Sequence, residues 1–252
     1  MSRVHQASSD NVFFSVSCHH LTKTGQLCNI RDQVPYKIHT IGIYLVIEAS
    51  NGVILMWDRK TSLMIKLSPD FKGKVCGLCG NYDGNGNNDF ITRCGEEVLD
   101  AVQFGNSWTT STNCPKADAM KNPCQITPHR EAWALKQCHI IKSDVFSACH
   151  KQVDPTEYFE TCVRDTCACD SGGDCECFCT AVAAYAAACR AVGTCVAWRN
   201  PNVCPLFCDY YNPFGEQWCE WHYQPCGAPC MKTCRNPTAK CSTQIPLLEG
   251  TF

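Results

Sequence analysis

The sequence predicts a disulfide-rich α+β fold in which an antiparallel β-sheet domain precedes a helical module. Three observations support this prediction. Apolar residues alternate at period two up to about Leu67, they recur at three- and four-residue spacings after Cys114, and 24 of the 252 residues are cysteine. The first pattern is typical of strands and the second of amphipathic helices. A cysteine content of about a tenth makes a disulfide scaffold the expected architecture.

The first predicted element is a meander of strands between about Tyr36 and Leu67. An Asn51-Gly52 pair separates two of the apolar runs, as in a β-hairpin, and the last run ends before Pro69. The alternating residues are Ile38, Ile41, Ile43, Leu45 and Ile47, then Val53, Leu55 and Trp57, then Leu63, Ile65 and Leu67. The loop that follows should lie at the rim of the sheet, where binding loops are common.

That loop, from Cys76 to Phe90, is spaced by glycines and rich in side-chain oxygens. Calcium takes about six to eight such oxygen ligands. The loop is not an EF-hand, because the final Glu and the flanking helices are absent. We interpret it as a calcium site; a Gly- and Asn-rich turn that needs positive φ is the alternative. The expected ligands are Asn81, Asp83, Asn85 through its backbone carbonyl, Asn88 and Asp89.

The Cys76-Gly-Leu-Cys79 motif at the start of this loop allows two interpretations. A Cys-x-x-Cys pair can perform thiol-disulfide exchange, which would make the chain an isomerase. Alternatively, both are structural cysteines with partners elsewhere, such as Cys18 or Cys28. Redox folds place the motif at the start of a helix, whereas a Gly-rich loop follows here, so the structural interpretation is favoured.

Two helices are expected after Cys114. The first carries its apolar residues at helical spacing, and the second, Val182 to Val192, is rich in alanine. Six cysteines lie from Cys162 to Cys179, with a Gly172-Gly173 turn among them. Such a segment cannot build an ordinary apolar core, so crosslinks must stabilise it. The pattern of the first helix consists of Trp133, Cys138, Ile141, Val145 and Cys149.

Cys175, Cys177 and Cys179 occupy alternate positions at the end of this cysteine-rich segment. Zinc is disfavoured, because no His is adjacent and the spacing is not the paired Cys-x-x-Cys of a zinc ribbon. In an extended segment, Cys177 would face away from the other two. We therefore expect one exposed sulfur and two buried sulfurs.

Several motifs resemble the von Willebrand type D domain family, and most closely the third D assembly at the amino-terminal end of the gel-forming mucins. The likeness covers about Val34 to Cys241. The motifs are Cys76-Gly-Leu-Cys-Gly-Asn-Tyr-Asp-Gly84, Phe104-Gly-Asn-Ser-Trp108, Asp174-Cys-Glu-Cys-Phe-Cys179, Ala183-Ala-Tyr185-Ala, Cys208-Asp-Tyr-Tyr-Asn-Pro213 and Trp218-Cys-Glu-Trp-His-Tyr223.

This resemblance implies a domain order. Residues 34–114 would form a type D domain, 124–201 a helical eight-cysteine module, and 202–252 the truncated start of a trypsin-inhibitor-like module, suggested also by Cys226, Cys230 and Cys234. Residues 1–33 match no family motif, so the sheet is expected to lack its first strands. A calcium ligand from those strands would then be missing, and we expect a lower affinity.

The resemblance also implies site residues. Cys177 and Cys219 would make disulfides between chains; the alternative is that both are ordinary intrachain partners. Family assembly in the acidic secretory pathway makes His150 and His222 the candidates for pH sensing, although a lone His is more often a packing or surface residue.

Composition excludes several classes of function. The net charge of −2 gives no electrostatic footprint for nucleic acid. The most apolar run, Ile41 to Met56, contains Glu48 and a turn, so it cannot span a membrane. No nucleophile elbow, His-Glu-x-x-His or phosphate-binding loop occurs, so no enzymatic activity is expected.

The cysteine content indicates an oxidising, extracellular compartment. The amino terminus has no apolar signal segment, so we expect a fragment or incomplete gene model of a longer secreted chain. The predicted function is that of a calcium-supported assembly module in a secreted, polymeric, mucin-like glycoprotein, linked covalently to copies of itself. Other extracellular glycoproteins are further candidate partners. A non-covalent extracellular binding module is the alternative, and an isomerase acting through Cys76 and Cys79 is a weaker one.

Overall fold

The computed structural model describes residues 35–111, 113–118, 121–169, 174–206, 222–228, 237–238 and 245–251. The described chain divides into two compact units. The sheet unit comprises residues 35–38, 47–56 and 61–118, and the helical unit comprises residues 39–46, 57–60 and those from 121 onward. An antiparallel sheet, helices and disulfides confirm the predicted α+β, disulfide-rich fold class.

Four strands form one sheet in the order β1-β2-β3-β4, so each strand pairs with its sequence neighbour. This is the predicted meander. The strands are β1 (Tyr36–Ile41), β2 (Tyr44–Ala49), β3 (Val53–Trp57) and β4 (Leu63–Leu67).

The buried side chains of the sheet are Ile41, Tyr44, Val46, Ile54 and Met56. Ile41 belongs to the alternating residues on which the strands were predicted. The other four each lie one position away from that set, and Trp57 of the set is 42% exposed. Both faces of β2 and β3 carry apolar residues, so alternation located the strands without identifying the buried face.

The turn between β2 and β3 depends on Gly52. Its φ is +90°, in the left-handed region that favours glycine. A Cβ at this position would lie 2.7 Å from the Ser68 hydroxyl oxygen. The Ser68 backbone N–H donates to the Gly52 carbonyl at 2.9 Å, which fixes the turn against the end of β4.

Helix α1 (Ala101–Ser107) anchors the end of the glycine-spaced loop. The Asp100 carboxylate caps it by accepting hydrogen bonds from two backbone N–H groups of the first turn, at 3.1 and 3.2 Å. Phe104 is buried and stacks on Phe90, with ring centroids 4.8 Å apart. The Trp108 ring nitrogen donates to the carbonyl of the residue after Phe90 at 3.2 Å. The Phe104 to Trp108 motif therefore holds the loop in place.

In its described ranges, the helical unit contains five further α-helices and a two-stranded sheet. The helices are α2 (Pro123–Ile126), α3 (Pro128–Cys138), α4 (Ser147–His150), α5 (Thr156–Ala168) and α6 (Asp174–Ala191). Strands β5 (Tyr223–Gly227) and β6 (Leu248–Thr251) pair antiparallel. No helix in the described ranges is long and apolar enough to cross a membrane.

The pattern from Trp133 to Cys149 predicted one helix, and the structure divides it into α3, two 3-10 turns and α4. Ser143 makes the interruption, because its backbone is extended, with φ −82° and ψ 172°. The phase of the pattern changes there, so Phe146 is buried and Val145 is 45% exposed. The prediction of a continuous helix, with Val145 on its inner face, was wrong. The pattern residues that are fully buried are Cys138, Ile141 and Cys149.

Crosslinked cysteines form much of the core of the helical unit. Cys138, Cys149, Cys162 and Cys189 are 0% exposed and pack beside Tyr185. The disulfides identified among described residues are Cys124–Cys167, Cys138–Cys162, Cys149–Cys189, Cys169–Cys177, Cys179–Cys204 and Cys195–Cys226. Pairs of this kind require an oxidising compartment, which agrees with the prediction of a secreted chain.

Candidate metal centre and cysteine cluster

The loop from Cys76 to Phe90 curls around its own polar side chains. Positive φ angles at Gly80 (+82°), Tyr82 (+58°) and Gly84 (+93°) reverse the chain repeatedly. A 3-10 turn, Gly86–Asn88, follows. The positive-φ turn that we considered as an alternative is therefore present, and it is also the geometry that directs oxygens toward a common centre.

Asp83 lies at that centre. Its Oδ2 accepts hydrogen bonds from the side-chain amides of Asn88 (2.9 Å) and Asn81 (3.0 Å), and its Oδ1 accepts from the Asn85 backbone N–H (2.6 Å). The bonds from Asn88 and then Asn85 hold the pKa of Asp83 below its usual value of 3.8, and Lys72 contributes in the same direction. The carboxylate is therefore ionised at neutral pH, as a calcium ligand must be.

Asp89, near the end of the loop, contacts the backbone near its beginning. Its Oδ1 accepts a hydrogen bond from the Asn81 backbone N–H at 3.2 Å. The Asp89 carboxylate fills the space where a Cβ of Gly80 would stand. Glycine at this position therefore permits the carboxylate to approach the backbone.

Asn88 supplies the observation that favours a cation. Its Oδ1 is buried and has no hydrogen-bond partner in the described structure. Such an acceptor is costly unless a donor or a cation satisfies it. The residues of the loop thus fit a hard cation that prefers oxygen.

The five predicted ligands are not equivalent. Asn81, Asp83, Asn88 and Asp89 are brought together by the hydrogen bonds above. The Asn85 side chain instead caps the 3-10 turn by accepting from the Asn87 backbone N–H at 3.2 Å. This agrees with the expectation that only the backbone carbonyl of Asn85 would serve. Within the described ranges, no group of three His, Cys, Asp or Glu residues is placed to hold a metal ion, so the predicted calcium site would depend on amide oxygens beside two carboxylates.

Cys76 and Cys79 are not bonded to each other. Cys76 is in a disulfide, and Cys79 is an exposed free thiol. The motif is followed by the loop rather than by a helix. This local structure favours the structural interpretation over an exchange motif at a helix start.

The cysteine cluster at Cys169, Cys175, Cys177 and Cys179 differs from the prediction. The alternating cysteines lie in the first turns of α6 rather than in an extended segment. Residues two apart on a helix still point in different directions, and here the exposed sulfur is that of Cys175, which is free. The expectation that Cys177 is the exposed member was wrong, because Cys177 is half-buried and bonded to Cys169.

Comparison with known proteins gives three family matches. A von Willebrand factor type D domain model matches residues 14–96, a C8 domain model residues 137–205, and an otogelin-like/mucin TIL domain model residues 219–252. Human Mucin-5AC is 59% identical over 220 residues, which is 87% of this chain, and human Mucin-5B is 61% identical over 218 residues, which is 86% of it. Human Mucin-2 is 52% identical over 87% of the chain.

This chain belongs to the von Willebrand type D family of gel-forming mucins. It is a D assembly, with the type D, C8 and TIL domains in the predicted order. The chain spans about 4% of the length of the human mucins it matches.

The domain matches of this mucin D assembly differ in extent from the boundaries that the motifs implied. The type D match begins at residue 14, so it includes residues 14–33, for which the motifs alone indicated no likeness to the family. The C8 match begins at residue 137 and ends at residue 205. The predicted loss of the first strands concerns residues before Pro35, which lie outside the described ranges.

Three further predicted residues of the mucin D assembly have different outcomes. Cys219 lies outside the described residues, so its bond to a second chain stays a prediction. His222 is exposed. The Nε2 of His150 lies 2.9 Å from the Ile141 carbonyl, and its ring is near Tyr185. This is the packing role that a lone His usually has, and pH sensing by either His stays a prediction.

The sequence analysis missed a buried polar network around Glu249, which is only 2% exposed. Its Oε1 accepts from Arg199 at 2.7 Å, and its Oε2 accepts from the Trp198 ring nitrogen and the Tyr223 hydroxyl, each at 3.2 Å. Burial and the nearby Glu249 carboxylate raise the pKa of Tyr223, and they raise the pKa of Tyr44 to about 12. The network joins β5 and β6 to the end of the C8 domain. A single acidic residue near the end of a sequence carries no signal of such a role.

Proposed function

We propose that this chain is a structural assembly module of a secreted, polymeric, mucin-like glycoprotein, and that it joins copies of itself through interchain disulfides. The observation that carries the proposal is the cysteine cluster at the start of α6, where the free, exposed thiol of Cys175 lies two residues from the half-buried, bonded Cys177, while the other described cysteines of the helical unit are bonded. The identity to Mucin-5AC and Mucin-5B supports a role within a mucin. The proposed partner is therefore a second copy of the chain.

We also propose calcium as the cofactor of the type D domain. Asn81, Asp83, Asn88 and Asp89 would hold the ion, with the Asn85 carbonyl as a further ligand. The ion would supply positive charge that offsets two carboxylates held close together. Asp83 and Asp89 orient the loop through their hydrogen bonds to Asn81, and the orphaned Asn88 oxygen supports the assignment.

Covalent assembly is tested by expressing the full chain through a secretory pathway and measuring its mass on non-reducing gels and by intact mass spectrometry. The wild type is compared with Cys177→Ser combined with Cys219→Ser. The matched control removes two exposed free thiols of the sheet unit, Cys94→Ser with Cys114→Ser. We expect dimers or larger species in the wild type and the control, and monomer in the test variant.

Each outcome of this experiment separates the candidate functions. Wild-type monomer with all thiols of the helical unit oxidised would support the alternative, a non-covalent extracellular binding module. Dimers that persist in the test variant would show that other cysteines link the chains. Loss of dimers in the control as well would show that the assay reports general folding rather than a specific bond.

Calcium binding is tested by isothermal titration of the secreted chain with calcium alone. We expect binding that Asp83→Asn weakens at least about tenfold, because a charged ligand is lost. Asp70→Asn, in the 3-10 turn Pro69–Phe71 outside the loop, is the matched control and should bind like the wild type. Equal affinities in all three proteins would contradict the site.

The isomerase alternative has a separate test. A chain that acts through Cys76 and Cys79 should restore activity to a scrambled disulfide substrate in a glutathione buffer, and Cys79→Ser should abolish this turnover. We expect no turnover above buffer, because Cys76 is bonded away from Cys79.

A further inference from the structure

Cys169 at the end of α5 and Cys175 and Cys177 in the first turns of α6 together hold one bond and one thiol. Cys169 directly follows α5 and is bonded to Cys177, with Cα atoms 6.4 Å apart. Cys175 lies two residues before Cys177 in the first turn of α6, and its thiol is free and exposed. Cys179, one turn further along the helix, is bonded to Cys204 and does not compete for the same partner.

We propose that Cys175 exchanges with the Cys169–Cys177 disulfide and thereby releases Cys177 for a bond to a second chain. The proposal rests on the proposed function of covalent assembly. Cys175 would act as an internal nucleophile. The Cys169–Cys177 bond would keep the Cys177 thiol from reacting until the chains assemble.

The step conserves atoms and electrons. The Cys175 thiol loses its proton to solvent, and its thiolate attacks the Sγ of Cys169. The Cys169–Cys175 bond forms as the Cys169–Cys177 bond breaks, and Cys177 leaves as a thiolate that takes up a proton. One disulfide and one thiol are present before and after, so the step needs no oxidant. Only the later bond between two Cys177 thiols needs one, and a disulfide such as oxidised glutathione or an oxidoreductase of the secretory pathway is the chemical class required.

The position of the cluster at a helix start favours the exchange. The first N–H groups of a helix have no acceptor within the helix, so the first turn can unwind at the cost of few hydrogen bonds. Unwinding there moves Cys175 without disturbing the fully buried bond that holds α6 farther along, Cys149–Cys189. Cys175 is also exposed, so its sulfur is not enclosed by the core.

The two alternative bonds close loops of similar size. The Cys169–Cys177 bond has a sequence separation of 8, and a Cys169–Cys175 bond would have one of 6 by the same numbering. Loop-closure entropy varies only with the logarithm of loop length, so neither bond has a large entropic advantage. Both states should therefore be accessible to one chain, and capture of Cys177 by a second chain would pull the exchange forward.

The exchange is measured first in the monomer of the full chain, where no second chain is required. Wild-type monomer is purified at acidic pH, transferred to neutral pH, and alkylated with N-ethylmaleimide after increasing times. Peptide mapping then shows which sulfur carries the label. We expect label on Cys175 at the start and increasingly on Cys177, at a rate independent of protein concentration. Label that stays on Cys175 alone would overturn the proposal.

The second measurement maps the disulfides of the covalent dimer. We expect an intrachain Cys169–Cys175 peptide together with an interchain Cys177–Cys177 peptide. A dimer that keeps Cys169–Cys177 and links its chains through Cys175 would overturn the exchange while leaving covalent assembly intact. Absence of any covalent dimer would instead contradict the proposed function, and the monomer labelling would still decide the exchange.

Two variants complete the test. Cys175→Ser should leave Cys169–Cys177 bonded and lower the yield of Cys177-linked dimer at least about tenfold, since no thiolate remains to attack the bond. Cys114→Ser, which also removes an exposed free thiol, should give the wild-type yield. Equal dimer yields in the two variants, with Cys177 in the interchain bond, would contradict a role for Cys175.

Discussion

The helical unit buries Cys138, Cys149, Cys162 and Cys189 completely, whereas the described part of the sheet unit exposes Cys79, Cys94 and Cys114 as free thiols. In the helical unit, bonded cysteines form part of the hydrophobic core, where they pack beside a few large aromatic side chains. The sheet unit uses stacked rings, capped turns and a loop of interlocked polar groups. The bonded cysteines of the helical unit therefore form its core, whereas in the described part of the sheet unit polar and aromatic contacts accompany the disulfide of Cys76.

The largest expected effect is on the covalent side of this comparison. Replacing the buried Cys149–Cys189 pair by Cys149→Ala with Cys189→Ala should lower the free energy of unfolding by about 2–5 kcal/mol, because the unfolded chain regains conformational freedom and a buried contact is lost. Urea unfolding followed by circular dichroism measures the change. Cys94→Ala with Cys114→Ala, which removes two free thiols, should change it by less than about 0.5 kcal/mol. Similar losses in both variants would remove the distinction between the units.

The next effect concerns the polar network of the helical unit. Glu249→Ala leaves Arg199 buried and without its carboxylate partner, which should cost about 3 kcal/mol. Glu97→Ala, at an exposed position of the sheet unit, should be neutral within about 0.5 kcal/mol. The same denaturation experiment compares them. A small effect at Glu249 would show that water reaches the network.

Two glycines sharpen the comparison within the sheet unit. Gly80→Ala forces a Cβ into the Asp89 carboxylate at a positive φ, and it should cost about 1–3 kcal/mol. Gly105→Ala, in α1 with open space around the added carbon, should instead stabilise by about 0.5–1 kcal/mol. Thermal unfolding of both variants decides this; destabilisation by Gly105→Ala would contradict the packing around α1.

The smallest expected effect is a pH dependence of the free energy of unfolding that arises from Asp83. Its pKa is lower in the folded chain than the usual 3.8, so its contribution to stability is present above that value and is lost as pH falls through the lower, folded pKa. Unfolding midpoints of the wild type and Asp83→Asn should therefore differ near neutral pH and converge in acid. Asp70→Asn serves as the comparison at an exposed carboxyl outside the loop. A constant gap between wild type and Asp83→Asn at all pH values would contradict the hydrogen-bonded geometry.

Local chemistry explains which predictions succeeded. The strands and the Asn51-Gly52 turn are fixed by alternation and by positive φ, and both signals are visible in a few consecutive residues. The loop residues Asn81, Asp83, Asn88 and Asp89 come together because the whole loop is contiguous, and their binding of calcium stays a prediction. The α+β class and the family follow from the same short motifs.

Predictions failed where distant residues decide the outcome. Alternation could not choose the buried face of β2, because both faces are apolar. The predicted helix is interrupted at Ser143, whose backbone is extended. As a result, Phe146 rather than Val145 is buried in the core. The partner of Cys177 depends on how α5 and α6 approach each other, and the ion pair of Glu249 with Arg199 joins residues 50 positions apart.

Close packing between β6 and the turn after β1 has a consequence for biosynthesis. A Cβ at Gly250 would lie 2.6 Å from the Gly42 Cα and 2.8 Å from the Ile43 backbone nitrogen. The two partners are far apart in the sequence, so a growing chain that enters the secretory lumen cannot make this contact until all the intervening residues have been translated. Residues 39–46 must therefore remain exposed to chaperones and to other nascent chains until β6 has been synthesised.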